Sequence, residues 1–165
     1  MKNIITILFA MLTLYNFGQD NNKIKLEKII YHTSSCFGNC PTYHLEILKN
    51  GTTKIYAEKV YEKGLPLVSS EDSTKSGYFK GKLSLKSITE LVNVITNIGV
   101  ENLKFDSSTC CDGSVKTIII YYNGRRKYLK SMFPPENSER LIEYLNEICT
   151  ENKLTKTNKK FKIEN

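Results

Sequence analysis

Two Asn-Gly pairs, Asn50-Gly51 and Asn123-Gly124, each sit between runs of β-forming residues, and they constrain this chain more than any other feature. Asn-Gly adopts the left-handed angles of a tight hairpin at little cost, so such a pair between two β-rich runs specifies antiparallel neighbours. Before the first pair, Tyr43, Leu45 and Ile47 alternate with Thr42, His44 and Glu46. A three-residue loop Lys49-Asn50-Gly51 sets Leu45 opposite Ile55, Tyr43 opposite Ala57 and Glu46 opposite Lys54. A two-residue loop would set Glu46 against Ile55, so burial of one face selects the first register. The second pair joins Val115–Tyr122 to Arg125–Met132.

The elements around these hairpins follow from periodicity. Residues 23–33 read as a further strand and Tyr78–Leu83 as another, while 58–76 reads as a loop with a short strand near Lys59–Tyr61. Ser84 can cap a helix in which Leu85, Ile88, Leu91, Val92, Ile95 and Ile98 share one face, and Gly99 closes it. After Pro134-Pro135, Leu141, Ile142, Leu145, Ile148 and Cys149 form the stripe of a second helix. Three to five strands and two helices predict an α+β domain: an antiparallel sheet built from hairpins, with two amphipathic helices packed on one face.

The chain divides into three parts. Lys2 followed by the apolar run Ile4–Leu14 and the polar Gln19-Asp20 has the layout of a signal peptide over residues 1–18. No cysteine follows the run at a lipidation position, since the first is Cys36, so the expectation is an exported protein, periplasmic or secreted, and not a lipoprotein. Residues 19–150 form the single α+β domain, and 151–165 a lysine-rich flexible tail. The formal charge of +7 comes largely from the ends, with five lysines against two glutamates in the tail. Because the domain itself is nearly balanced, composition excludes a nucleic-acid partner. The tail could make weak contact with an anionic surface. A monomer is expected, and no other partner is legible.

The one pointed motif is Cys36-Phe37-Gly38-Asn39-Cys40-Pro41-Thr42-Tyr43. Cys36, Gly38, Cys40, Pro41 and Tyr43 match a Cys-x-Gly-x-Cys-Pro-x-Tyr signature, and with the following hairpin they resemble a family of small exported bacterial proteins built on a domain of unknown function. Gly51, the Gly77–Gly81 strand and Asp112 extend the likeness over roughly residues 24–149. The resemblance implies export but no activity, and it assigns nothing to His32, His44, Cys110 or Cys111.

Three uses of the cysteine pair stand open. Cysteines four apart around Gly38 can come within disulfide reach, and an exported chain favours that bond. His32, Cys36, Cys40 and His44 recur every four residues and could form a Cys₂His₂ site for zinc or copper, although Gly38 and Pro41 disfavour one continuous helix. A redox-active dithiol is the third use, against which the three-residue spacer and the following strand argue. Adjacent Cys110 and Cys111 are either two thiols or half of a bridge to Cys36 or Cys40, and Cys149 reads as a core residue. No catalytic motif is present and no cofactor is expected. The leading expectation is a non-enzymatic binding or structural module held by a Cys36–Cys40 disulfide. The alternative is a thiol-redox or metal-handling protein that uses the same pair.

Overall fold

The computed structural model describes residues 24–62, 70–108, 110–151 and 153–165. The expected signal peptide therefore lies outside the described residues, as does part of the 58–76 loop. Seven strands form one antiparallel sheet: β1 (Leu26–Thr33), β2 (Thr42–Leu48), β3 (Thr52–Lys59), β4 (Gly77–Lys82), β5 (Lys116–Tyr122), β6 (Arg125–Ser131) and β7 (Thr155–Thr157). Their order across the sheet is β6-β5-β1-β2-β3-β4-β7. Among the described residues two helices accompany them, α1 (Leu85–Asn97) and α2 (Glu139–Thr150), the latter preceded by a 3₁₀ turn at Glu136–Ser138.

This corrects the expected α+β architecture with two amphipathic helices packed on one face. The described residues are mostly a seven-stranded antiparallel sheet, and the two helices among them are short, at 13 and 12 residues. The sheet is larger than expected because β1 bridges the two hairpins, pairing with β2 on one side and β5 on the other. It also gains β7, which pairs with β4 through Tyr78↔Thr157 and Lys80↔Thr155. A three-residue strand among lysines has no period of its own, so only its partner defines it.

The local rules hold where they act over short range. Leu45 faces Ile55, Tyr43 faces Ala57 and Glu46 faces Lys54, the register of the three-residue loop. Gly51 has φ +84°, and a Cβ built there would lie 2.9 Å from the Leu83 carbonyl oxygen, so glycine is required twice over. Asn123 and Gly124 both have positive φ, at 50° and 70°, and join Tyr122 to Arg125 directly. The Ser84 hydroxyl accepts the Ser87 amide at 3.1 Å and caps α1. Leu85 departs from its expected place on the buried stripe, being 83% exposed in the first turn.

One apolar cluster joins Ile29, Tyr31, Leu45, Ile47, Ile55, Ile118 and Ile120 of the sheet to Leu91, Ile95, Leu141 and Leu145 of the helices. Cys149 lies in it, and burial pushes its thiol pKa up. The Tyr31 hydroxyl crosses the core to donate to Asn146 Oδ1 at 3.0 Å. Alternate residues of the strands, among them Ile30, His32, His44, Tyr56, Tyr78 and Ile119, point to the opposite face of the sheet. Functional geometry is concentrated on that second face.

Candidate functional site

The signature segment forms a staple at one end of the sheet. Cys36 and Cys40 are disulfide-bonded, with Cα atoms 5.5 Å apart. Gly38, between them, has φ +144°, outside the range that other residues readily adopt. After Pro41, the Thr33 hydroxyl donates to the Pro41 carbonyl at 2.8 Å and accepts the Tyr43 amide at 2.9 Å. Tyr43 is buried below the loop, where desolvation pushes its phenol pKa up to about 12. The segment also grips the loop before β5. The Phe37 amide donates to the Asp112 carbonyl at 3.0 Å, and the Ser114 hydroxyl donates to that of Ser34 at 2.7 Å. Cys110 and Cys111 belong to this second loop as exposed thiols.

His32 and His44 do come together, as cross-strand partners of β1 and β2. Their Nδ1 atoms are 2.8 Å apart. His32 Nε2 lies 2.7 Å from the Glu164 carbonyl oxygen, which can only accept, so Nε2 carries the proton and Nδ1 accepts from His44. Burial, and then the neighbouring His44, lowers the His32 pKa against the opposing pull of that carbonyl bond. A neutral His32 satisfies every contact. His44 Nε2 faces Glu58 Oε2 at 3.4 Å. The four proposed metal ligands therefore separate into a disulfide and a histidine pair. Among the described residues, no three His, Cys, Asp or Glu side chains are grouped to hold a metal ion.

From His44 an aromatic ladder runs across the sheet. Its ring stacks on Tyr56 at 5.5 Å and Tyr56 on Tyr78 at 4.5 Å, because the three residues are cross-strand partners in β2, β3 and β4. Phe161 meets Tyr78 edge-on at 5.0 Å. The last stretch thus differs from the expected flexible tail: β7 docks it, and Glu164 ties it down. Glu164 pairs with Lys28 at 2.8 Å, accepts from the Tyr121 hydroxyl and meets Arg126 at 3.4 Å. These contacts, led by the Lys28 hydrogen bond, hold its carboxyl pKa at about 2.

Between the staple and the histidine pair lies an open cavity of about 480 Å³, whose walls include Thr42, Glu58, Thr117, Tyr128 and Lys130 as well as both histidines. Thr42 Oγ1 is buried there, and among the described residues it has no hydrogen-bond partner. Sequence reasoning found the signature and both histidines but missed Thr42, Glu58, Tyr128, Lys130 and Glu164. One signal was available. Ile30 and Ile119, on the face opposite the main core, imply that this face is covered as well.

Comparison with known proteins decides the family. A domain of unknown function, DUF6438, matches residues 27–149. The chain belongs to that family. No curated protein matches it significantly. The matched DUF6438 region contains the staple, the histidine pair and every cavity wall residue but Asn165, and it ends before β7.

Proposed function

We propose that this DUF6438 chain is an exported binding module, acting by recognition rather than catalysis, and that the cavity beside the Cys36–Cys40 staple takes its ligand. The observation that carries the reading is Thr42 Oγ1, buried on the cavity wall without a hydrogen-bond partner among the described residues. An unsatisfied buried hydroxyl costs about 1–3 kcal/mol, and a ligand atom that hydrogen-bonds to it recovers that energy. Glu58 and Lys130 supply one charge of each sign and Tyr128 an apolar wall, a set suited to a small zwitterionic or hydroxyl-rich molecule. The disulfide is the type of bond that persists outside the cytoplasm, in keeping with the apolar leader.

The test is a thermal-shift panel of amino acids, short peptides and sugars against the native chain and Thr42→Val. A member of the panel should raise the melting temperature of the native protein and lose that effect in the variant. Shifts of equal size in both proteins would overturn the assignment, as would a panel in which nothing shifts the native chain. Export is checked by the mass of the protein recovered outside the cytoplasm, which should lack the leader.

A further inference from the structure

Residues 153–165 do more than add an edge strand. Beyond β7 the chain leaves the ladder and crosses the second face from β4 toward β5 and β6, anchored by two side chains. Phe161 sits against Tyr78, with Lys80 Nζ 5.1 Å and Lys54 Nζ 5.9 Å from its ring centroid. Three residues on, the Glu164 carboxylate enters a slot made by Lys28, Tyr121 and Arg126. The Glu164 carbonyl meets His32, which lies on β1, the strand that also carries Lys28. Ile30 and Ile119 are fully buried yet stand outside the main core cluster. The covering segment lies past the family match, which ends at residue 149.

We propose that this face is a peptide-docking surface for extended segments carrying an aromatic residue followed three positions later by a carboxylate, and that residues 157–165 occupy it in cis. The spacing has a geometric basis. Three extended residues span roughly 10 Å, about two strand separations, and the side chains reach the remaining distance from the β3–β4 slot to the β1–β5 slot. Each slot recognises chemistry rather than shape alone: cations over a ring face in one, a charge-assisted pair plus a phenol donor in the other. A tethered occupant has an effective concentration on the order of 1 mM, so a partner peptide must compete with it. The proposal goes beyond the cavity reading: the two share His32, and Asn165 of the segment lines the cavity, but none of the slot contacts involves Thr42.

The test titrates a fluorescein-labelled peptide with the sequence of residues 157–165 into the full chain and into the full-length double variant Phe161→Ala/Glu164→Gln, read by anisotropy. For an intrinsic Kd of about 100 µM, a tether near 1 mM makes the native chain bind about tenfold more weakly than the variant. A peptide carrying the same two substitutions should bind neither. A cooperatively melting double variant that leaves the native peptide unbound at millimolar concentration would overturn the proposal, as would equal binding of both peptides. Should the variant fail to fold, hydrogen exchange of the native chain decides: excess native peptide should speed exchange across residues 158–165 several-fold, and unchanged exchange would sink the idea.

Discussion

Glu164→Gln isolates the strongest tie between the trailing segment and the sheet. The carboxylate holds Lys28 at 2.8 Å, accepts from Tyr121 and meets Arg126, with its side chain about one-third exposed. Its pKa falls from 4.5 to about 2 on folding. Taken at face value that shift corresponds to roughly 3 kcal/mol. Solvent screening at this exposure reduces it to about 1–2 kcal/mol. Losing that much lowers the docking constant by about 5- to 30-fold, since about 1.4 kcal/mol is a factor of ten, and from a docking constant of about ten the undocked population rises about 4- to 8-fold. Lys153, Lys156, Lys159, Lys160 and Lys162 are all trypsin sites, so limited proteolysis reads this population directly. Cleavage within 153–162 should therefore accelerate about 4- to 8-fold in the variant at pH 8, while the rest of the domain stays intact. The folded pKa is the depressed one, so the contribution is complete above about pH 4.5 and disappears as pH falls toward 2. Amide exchange across the segment should differ between the two proteins at pH 6 and converge near pH 2. Equal trypsin rates would refute the argument, and so would an exchange difference that persists at pH 2.

Other perturbations address the staple, the hairpin and the histidine pair. Replacing Cys36 and Cys40 with serine opens a loop of about five residues and should lower stability in urea unfolding by about 2 kcal/mol, the closure entropy of so short a loop. Gly51→Ala forces a side chain to φ +84° and against the Leu83 carbonyl, and should cost about 1–3 kcal/mol by the same measurement. A loss under 0.5 kcal/mol would mean that the turn relaxes freely. His32 faces His44 from β2, Thr117 from β5 and the Glu164 carbonyl, and its pKa is lowered. Its unfolded form takes up a proton first, so stability is greatest above pH 6.5 and declines below it. Denaturation from pH 8 to 5 should show that decline in the native chain and a smaller one in His32→Gln; identical slopes would contradict the assignment of a neutral His32.

Much of the framework was legible because it is local. Asn50-Gly51 and Asn123-Gly124 set their hairpins, Ser84 and Gly99 bounded α1, and Gly38 between two cysteines marked a turn that a disulfide could close. The expected α+β layering failed on contacts that no local pattern encodes: β1 pairing with β5 across some 90 residues, and β7 recognising the edge of β4. The site divides the same way. In the sequence His32 and His44 share a four-residue spacing with Cys36 and Cys40, but what joins the histidines is opposite positions on adjacent strands, and that register leaves Cys36 and Cys40 to bond with each other.

The sequence by itself determined where this chain turns, which residues of each strand share a face, and that a cysteine staple could precede the first hairpin. Those properties depend on backbone angles and a two-residue period, which a few neighbouring residues settle. The tertiary structure alone decided that the second face of the sheet carries a histidine pair, a Thr42 hydroxyl with no partner among the described residues, and a covering segment held by Phe161 and Glu164. Each of these joins residues from about a dozen to more than a hundred positions apart, and their energies exist only once the sheet has brought them together.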